Sequence, residues 1–448
     1  MDRRRTAIDR KQDASYTFLY GNMSKSGGGK TMLDDVKRFD MQRPPLRQHL
    51  LPIAWVLAAA TLIPHKNKLK KVDMEGVKPP YLLLCNHNAF MDFSVSTRAI
   101  FPHRGNYVVA IDGFLKREWL LRLVGCICKR KFTRDLTLIR QLKRVVDRGD
   151  IAVLYPEARY SLCGTTAVLP DSLGKLCKLL KVPVVMLMCH GHHVNSPFWN
   201  LHDRGVKPTE AEMTCLFTKD ELEKTTVEEV NETIRKAFIY DDFAWQKEKG
   251  IRVTYEGRAE GLQKVLYQCP HCGAEYRMNA KGTRLFCESC GKQWEMNELS
   301  ELHALEGETE FSHIPDWYEW ERGNVRKEVE EGTYAFTCRA RVDALPNAKG
   351  YMDLGMATLT HDMTGFTLDG TYEGEDYHVH IPAASQYSVH IEYEYLGKYG
   401  DCVDLNTDKD TLYVYPKDCL FAVTKFALAT EELYQYYERQ RKAAEGKD

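Results

Sequence analysis

The chain has 448 residues, which is enough for about three domains. A hydrophobic content of 44% and a charged content of 28% are ordinary for a folded protein, and they exclude a disordered chain and a multi-span membrane protein. The net charge of −1 excludes a global basic field for nucleic acid, so any surface that binds anions has to be local.

The first 48 residues are polar and carry no apolar signal segment. Together with the fourteen cysteines of the chain, this favours a reducing compartment, and we expect a cytoplasmic protein. A run of three glycines at 27–29 precedes Lys30, as in a phosphate-binding loop, but the apolar strand and the spacing of that motif are missing. We therefore expect residues 1–48 to form a loosely held lead-in.

Residues 50–63 form the most apolar run of the chain, and Pro64 follows directly after it. A helix that spans a bilayer needs about 20 apolar residues, so this run is too short to cross. Lysine and arginine residues flank it on both sides, which suits attraction to anionic headgroups. We expect the run to lie on a membrane surface, so that the protein is peripheral or monotopic on the cytoplasmic face. A buried core helix is the alternative.

Short apolar runs alternate with amphipathic stretches from residue 81 onward. The predicted strands are residues 81–84, 107–111, 151–154 and 182–188, and the predicted helices are residues 135–148, 172–180 and 220–236. Such alternation favours an α/β sheet with its functional site at the carboxyl ends of the strands. We expect this domain to cover residues 49–265.

A polar cluster follows the first predicted strand and contains His87 and, five residues later, Asp92. On an ideal helix these two side chains would lie about 140° apart, so they can meet only if the chain turns between them. A histidine at this place can accept a proton from a hydroxyl, and a carboxylate on its other ring nitrogen fixes the tautomer. His87 is therefore a candidate general base that Asp92 orients. The alternative is a capping aspartate with a structural histidine.

Two features near this cluster offer other chemistry. His190, His192 and His193 could bind a metal, but they follow a predicted strand without an acidic neighbour, which favours a polar strand end. Cys85 could serve a thioesterase as nucleophile, although its pairing with His87 needs an unusual turn.

Three further motifs follow His87 in chain order. They are Gly125 with the basic run Lys129, Arg130 and Lys131, then Tyr-Pro-Glu-Ala-Arg-Tyr-Ser at 155–161, and Val-Pro-Val-Val at 182–185. Taken with Asn86, His87 and Asp92, this series resembles the four sequence blocks of the glycerolipid acyltransferase family, which includes the 1-acylglycerol-3-phosphate acyltransferases. The resemblance covers about residues 50–265.

This resemblance implies transfer of a fatty acyl group from acyl-coenzyme A or acyl carrier protein to the free hydroxyl of a lysophospholipid. The simplest acceptor is 1-acylglycerol 3-phosphate, which would attack the thioester directly with His87 as base and Asp92 as its partner. The residues implied in substrate binding are Asn86, Gly125, Lys129, Arg130, Glu157, Arg159 and Ser161.

The third block departs from the family pattern Phe-Pro-Glu-Gly-Thr-Arg-Ser. Ala158 replaces the glycine, and the arginine stands one position earlier, at Arg159. The identity of the acceptor is therefore open. An acyltransferase for another alcohol, a thioesterase, and a non-catalytic scaffold that binds lipid or protein are the alternatives.

Two Cys-x2-Cys motifs lie in residues 266–297, with fourteen residues between them. They consist of Cys269 and Cys272, and of Cys287 and Cys290. Four thiolates can close a tetrahedron around Zn²⁺ and leave no open position, so we expect a structural zinc in a fold that resembles a zinc ribbon. A redox-active pair of motifs is the alternative. Nucleic acid is disfavoured as a partner because the few basic residues here stand among acidic ones.

Residues 298–448 are rich in aromatic and β-branched residues that alternate with polar ones, for example at 334–342 and 389–395. A helix is predicted at about 423–440. The pattern resembles a pleckstrin-homology or GRAM-type barrel, whose role could be lipid contact, protein contact or dimerisation. The predicted fold is thus an α/β acyltransferase domain, followed by a zinc ribbon and a β-rich C-terminal domain.

Overall fold

The structure is a computed structural model that describes residue 33 and residues 36–133, 135–419 and 421–445. The glycine run at 27–29, and with it most of the predicted lead-in, lies outside the described residues. The chain divides into a small unit, residues 1–36, and a large unit, residues 37–448, and every helix and strand named below belongs to the large unit.

A seven-stranded sheet forms the centre of the predicted α/β domain. Its strands are β1 (Lys68–Val72), β2 (Leu82–Cys85), β3 (Gly105–Ala110), β4 (Ile127–Lys129), β5 (Ile151–Leu154), β6 (Val184–His190) and β7 (Glu210–Phe217). Their order is β1-β7-β6-β2-β5-β3-β4. The β6–β7 pair is antiparallel and the other pairs are parallel. Strand β2 lies near the middle, so the residues that follow it reach the centre of one sheet edge.

Both faces of this sheet are buried, as the continuous apolar runs predict. Leu83 and Cys85 point into one hydrophobic cluster, whereas Leu82 and Leu84 point into the other. This division follows from the alternation of side chains along a strand.

Nine helices accompany this sheet among the described residues. They are α1 (Leu51–Leu62), α2 (Met91–Ile100), α3 (Glu118–Leu123), α4 (Leu136–Asp147), α5 (Leu173–Leu180), α6 (His192–Asn195), α7 (Lys219–Lys224), α8 (Val227–Ala237) and α9 (Asp242–Lys249). The stretch predicted as one helix at 220–236 is divided because Thr226 begins a new helix. Its hydroxyl accepts the Glu229 N–H, and the Glu229 carboxylate accepts the Thr226 N–H.

Residues 42–48 of the predicted lead-in pack against the α/β domain. The Arg148 guanidinium donates to the carbonyl oxygens of Pro45 at 2.7 Å and Leu46 at 3.1 Å. Gln48 is buried and its side-chain oxygen accepts the Gly105 N–H at 3.1 Å. These hydrogen bonds hold this part of the chain against the sheet.

Helix α1 coincides with the apolar run at 50–63. Several of its apolar side chains are exposed, namely Ile53, Val56 and Leu57, and Ile63 just beyond its end is exposed too. On the other side, the Trp55 ring packs on Phe101 at 4.7 Å between centroids. Of the described helices, none combines the length and the apolar character needed to cross a bilayer. A membrane-surface role for α1 stays a prediction.

A small antiparallel sheet carries the four predicted zinc ligands. Its strands are β8 (Met278–Lys281), β9 (Arg284–Cys287), β10 (Gln293–Met296) and β11 (Leu302–Ala304), in the order β11-β10-β9-β8. Gly273 and Gly291 follow the two cysteine motifs with φ values of +76° and +79°, which glycine adopts without strain.

The C-terminal region contains a seven-stranded antiparallel sheet and two long helices. The elements are α10 (Ile314–Glu330), β12 (Ala335–Ala344), β13 (Met352–Asp362), β14 (Gly365–Tyr372), β15 (Glu375–Pro382), β16 (His390–Glu392), β17 (Cys402–Asn406), β18 (Thr411–Pro416) and α11 (Ala422–Glu445). The strand order is β15-β14-β13-β12-β18-β17-β16. Strands β15 and β16 lie at opposite edges and no described pairing joins them, so the pleckstrin-homology or GRAM-type barrel is not confirmed. Helix α10 was not predicted.

Candidate active site

His87 lies at the carboxyl end of β2, in the turn that leads into α2. Its Nδ1 lies 3.2 Å from Oδ2 of Asp92, which occupies the first turn of that helix. The same oxygen accepts the backbone N–H groups of Asn88 at 2.6 Å and Ala89 at 2.9 Å. The chain therefore turns between the two side chains and brings them into contact, as the spacing requires.

Asp92 is fully buried and ionised. Burial opposes its ionisation, but hydrogen bonds from His192 and His87 outweigh that effect and lower the pKa of the carboxyl to about 2. A carboxylate with this pKa is charged at neutral pH. It can therefore hold a proton on Nδ1 of His87 and stabilise the imidazolium form.

His192 is a site residue that the sequence did not identify. Its Nδ1 lies 2.5 Å from Oδ1 of Asp92, and its side chain is buried. Asp92 thus contacts one histidine with each carboxylate oxygen. The position of His192 in the sequence could have identified it. His192 lies just after β6, and β6 pairs directly with β2, the strand that precedes His87. The carboxyl ends of adjacent parallel strands meet at one sheet edge, so His192 could have been placed near His87.

The His87 ring lies between two tyrosines. The ring centroids of Tyr155 and Tyr160 are 4.5 Å and 4.3 Å from that of His87. The side chain of His87 keeps 24% of its surface exposed. Among the described residues, Nε2 has no hydrogen-bond partner, whereas Nδ1 contacts Asp92. The ring is therefore held in place with one nitrogen available to an incoming hydroxyl.

Glu157 fixes the backbone of the His87 turn. Its Oε1 accepts the His87 N–H at 2.9 Å and its Oε2 accepts the Ala167 N–H at 2.7 Å. Burial raises the pKa of this carboxyl to about 7, although the two backbone hydrogen bonds oppose the shift. In this arrangement Glu157 acts on the loop, not on a substrate.

Three other predicted binding residues have partners within the protein. The Asn86 side chain exchanges two hydrogen bonds with the backbone of Cys189, at 2.9 Å and 2.8 Å. The Ser161 hydroxyl donates to the Thr165 carbonyl at 2.6 Å. Gly125 has a φ of +84°, and a Cβ there would lie 2.8 Å from the Asn106 amide nitrogen. Each of them shapes the sheet edge around the site.

The basic run lies beside the C-terminal sheet. The Lys129 ammonium donates to the Thr133 carbonyl at 3.0 Å. The Lys131 ammonium lies 3.8 Å from Asp404 of β17. Arg130 is buried, and its Nε and Nη2 have no hydrogen-bond partner among the described residues. Within the described part of the chain, Arg130 is therefore the member of the run with two donor nitrogens that no protein group occupies.

Arg159 contacts the C-terminal helix. Its Nη2 lies 2.7 Å from Oε1 of Glu431 in α11, and both side chains are buried. An acceptor phosphate would have to displace this ion pair in order to reach the guanidinium.

Cys85 is fully buried in the core of the sheet. Burial raises the pKa of its thiol well above the usual value, which disfavours the thiolate that a nucleophile needs.

The four cysteines of the small sheet can hold a metal. All four sulfurs lie within 4.8 Å of one another, and the pairs Cys269–Cys290 and Cys272–Cys287 are 3.9 Å and 3.8 Å apart. Sulfurs at the corners of a zinc tetrahedron, with Zn–S bonds of about 2.3 Å, lie about 3.8 Å apart, so the arrangement fits this ion.

Two other groups of potential ligands come as close together among the described residues. In one, Asp92 and His192 lie near Cys189. The hydrogen bond between His192 and Asp92 explains why these side chains lie close together without a metal. In the other, His390 and Glu392 lie near Asp404, where the Lys131 ammonium supplies the positive charge.

A sequence model of the family described as Acyltransferase matches residues 64–190, the stretch that contains His87, Asp92 and Glu157. No curated protein sequence matches the chain. Among solved structures, the chain is similar to the crystal structure of the 1-acyl-sn-glycerophosphate (LPA) acyltransferase PlsC from Thermotoga maritima. That similarity has 15% identity and a TM-score of 0.30, and it covers 42% of this chain and 78% of that chain.

Proposed function

We propose that this protein is an acyltransferase that moves a fatty acyl group from a thioester to the free hydroxyl of a lysophospholipid. The match of the Acyltransferase family model to residues 64–190 supports this proposal. The proposal depends on the contact between His87 and Asp92. The Nδ1 atom of His87 lies 3.2 Å from the buried carboxylate of Asp92, Nε2 has no hydrogen-bond partner among the described residues, and 24% of the side chain is exposed. This is the arrangement that a general base for a hydroxyl requires.

The reaction follows from the roles of these two side chains. Nε2 of His87 accepts the proton of the acceptor hydroxyl, and the oxygen attacks the thioester carbonyl. The tetrahedral intermediate collapses with cleavage of the carbon–sulfur bond, and the leaving thiolate takes the proton back from His87. Asp92 stabilises the imidazolium between the two proton transfers. A positioned base of this kind contributes roughly a 10²- to 10⁴-fold rate acceleration.

The donor in this proposal is acyl-coenzyme A or acyl carrier protein, and the first acceptor to test is 1-acylglycerol 3-phosphate. Support for an anionic acceptor comes from Arg130, whose buried guanidinium has two nitrogens without a partner in the described part of the chain. Such a group gains from an anion that supplies the missing hydrogen bonds.

The engagement of Arg159 by Glu431 favours a second candidate acceptor class. With this arginine held elsewhere, an alcohol without a phosphate monoester could also occupy the site. The reaction and the role of His87 would be the same for both acceptor classes.

A membrane surface is the proposed location of the reaction. Helix α1 presents Ile53, Val56 and Leu57 to solvent, and it packs beside α2, the helix that begins at the site. Phe90, two residues before Asp92, has 73% of its surface exposed. An exposed apolar helix face near the catalytic turn suits an acceptor that is delivered from a lipid layer.

Zinc in this proposal is structural. Cys269, Cys272, Cys287 and Cys290 would hold it with four thiolates, which leaves no coordination position for a substrate. The ion would stabilise the small sheet between the α/β domain and helix α10.

The experiment that tests the proposal is a product analysis with purified protein, vesicles and a donor with a labelled acyl group, which is acyl-coenzyme A in one set of reactions and acyl carrier protein in the other. The acceptors are a panel of lysophospholipids and uncharged alcohols, and mass spectrometry identifies the labelled products. Labelled phospholipid supports the proposal, and the preferred acceptor separates the two acceptor classes. Labelled free acid alone would indicate a thioesterase, and an unchanged donor with every acceptor would favour the scaffold.

A further inference from the structure

A buried cluster of charges joins the C-terminal helix to the loop that contacts His87. Glu431 of α11 is 1% exposed. Its Oε1 lies 2.7 Å from Nη2 of Arg159 and accepts the Ser388 hydroxyl at 2.7 Å. Its Oε2 lies 2.8 Å from Nη1 of Arg322 in α10. One carboxylate thus binds two guanidinium groups, one from the loop and one from the C-terminal region.

Arg159 stands in the middle of a loop that touches His87 at three points. Glu157 accepts the His87 N–H at 2.9 Å, the Tyr160 ring lies 4.3 Å from the imidazole, and the Ser161 N–H donates to the His87 carbonyl at 2.9 Å. The residue between Glu157 and Arg159 is Ala158, at a φ of +55°, a value that L-residues rarely adopt. The loop therefore needs external contacts to keep this shape, and Arg159 supplies one.

The burial of the cluster makes the contact rigid. Charges that are removed from water are stable only when they are paired, so Arg159 cannot leave Glu431 without a large cost in free energy. Burial opposes the ionisation of Glu431, but Arg159 and Arg322 outweigh it and lower the pKa of the carboxyl. The carboxylate is therefore charged at neutral pH, and its hold on the loop is constant across the physiological range.

We propose that Glu431 is a positioning residue for acyl transfer, because through Arg159 it fixes residues 157–161 against His87. This inference rests on the proposed function. The C-terminal region then contributes to catalysis through Glu431. Arg159 binds Glu431 of the protein itself and not the phosphate of the acceptor.

The test uses Arg159→Leu as the main variant. This change removes the contact but leaves Glu431 paired with Arg322, so the C-terminal region keeps its charge balance. We expect kcat to fall by about 10- to 100-fold, since a small displacement of a catalytic group costs rate, whereas KM for the acceptor changes by less than about 3-fold. If Arg159 bound the acceptor, KM would rise instead and kcat would be kept, which would overturn the inference.

Glu431→Gln and the double variant test whether both residues act through one contact. We expect Glu431→Gln to lower kcat as well, and the double variant to be no worse than the more severe single variant. Effects on kcat that multiply would contradict the inference. Arg439→Gln is the matched control, because Arg439 pairs with Glu330 between α11 and α10 at the exposed surface. Its kcat should equal that of the parent.

A second measurement does not depend on activity. Hydrogen exchange of residues 155–167 should become at least about 10-fold faster in Arg159→Leu than in the parent or Arg439→Gln, because the loop loses its anchor. Unchanged exchange there would overturn the inference, even if the parent transferred acyl groups. If the parent shows no transferase activity but exchange is faster in Arg159→Leu than in the parent, the anchoring of the loop by Glu431 is supported while the proposed function fails. If Glu431→Gln does not fold, Arg159→Leu still decides the question.

Discussion

His192 and Asp92 are joined by a hydrogen bond of 2.5 Å between Nδ1 and Oδ1, although 100 positions separate them in the chain. Asp92 uses its other oxygen for His87. The two imidazoles therefore share one buried carboxylate, and only the His87 ring is partly exposed to solvent. His192 holds the orientation of the carboxylate that in turn holds the candidate base.

Replacement of His192 should impair this arrangement without touching His87. His192→Leu removes the donor to Oδ1, so Asp92 loses a partner and can rotate away from His87. We expect kcat to fall by about 10-fold or more, with the midpoint of thermal unfolding lowered, since loss of a partner from a buried charge costs roughly 3–5 kcal/mol.

His192→Asn is the control for this change, because its amide nitrogen can take the position of Nδ1. It should keep more activity than His192→Leu. Equal activity in the parent and in His192→Leu would show that Asp92 needs no second partner.

Glu157 should make the stability of the protein depend on pH. Its pKa is raised from 4.5 to about 7 in the folded chain. Between these values the folded state binds more protons than the unfolded state, so the free energy of unfolding decreases as the pH rises. The contribution is complete below about pH 4.5 and is lost above about pH 7, and it amounts to something on the order of 3 kcal/mol.

Glu157→Gln should make this slope smaller but not abolish it, because burial also raises the pKa of Asp242 to about 6 and that of Asp404 to about 7. Urea unfolding at several pH values between about 4.5 and 7.5 can measure the difference. Glu248→Gln, at an exposed position of α9, is the control and should keep the slope of the parent. The interpretation fails if Glu157→Gln and Glu248→Gln show the same pH dependence.

The strands of the α/β domain could be predicted because their apolar runs are short and separate. The prediction at 151–154 matches β5 residue for residue, and that at 81–84 differs from β2 by one position. The contact between His87 and Asp92 was also predictable, because the two residues are only five positions apart and a single turn of the chain brings their side chains together. Short strands and contacts between near neighbours in sequence can therefore be predicted from local sequence pattern.

Contacts between distant segments were not predictable in this way. The sequence placed three histidines at the end of a strand but could not show that His192 faces Asp92, since that depends on which strands are neighbours. The pairing of Arg159 with Glu431 spans 272 positions. Arg322 of helix α10 also binds Glu431, and this helix lies within residues 298–448, whose aromatic and β-branched residues predicted strands.

Zinc should be present at about one ion per chain in the purified protein. Cys287→Ser should lower the zinc content and reduce solubility, because the small sheet loses the ion that closes it. Metal analysis by mass spectrometry, together with thermal unfolding, measures both effects. Cys215→Ser, a change in β7 outside the cluster, should leave the zinc content unchanged. A zinc content far below one ion per chain in the parent would contradict the four-cysteine site.

Membrane binding should depend on the exposed face of α1. Leu57 is 64% exposed, and Leu57→Asp together with Ile53→Asp would place two charges on the apolar face that we propose contacts lipid. Each buried leucine or isoleucine contributes roughly 1.5–3 kcal/mol, so cosedimentation with anionic vesicles should weaken at least about 10-fold.

Leu305→Asp together with Met356→Asp also places two charges at exposed apolar positions, after β11 and in β13, and serves as the control. It should bind vesicles like the parent. Equal vesicle binding by the parent and the α1 double variant would exclude α1 as the membrane contact.

The most direct measurement compares acyl transfer by the parent, His87→Ala and His303→Ala, with labelled acyl-coenzyme A and the preferred lysophospholipid. His303 is an exposed histidine of β11 and supplies the matched control. We expect the parent and His303→Ala to form labelled phospholipid at the same rate, and His87→Ala, assayed well below its own unfolding midpoint, to be slower by roughly 10²- to 10⁴-fold. Transfer by folded His87→Ala at the rate of the parent would contradict the assignment of His87 as the general base.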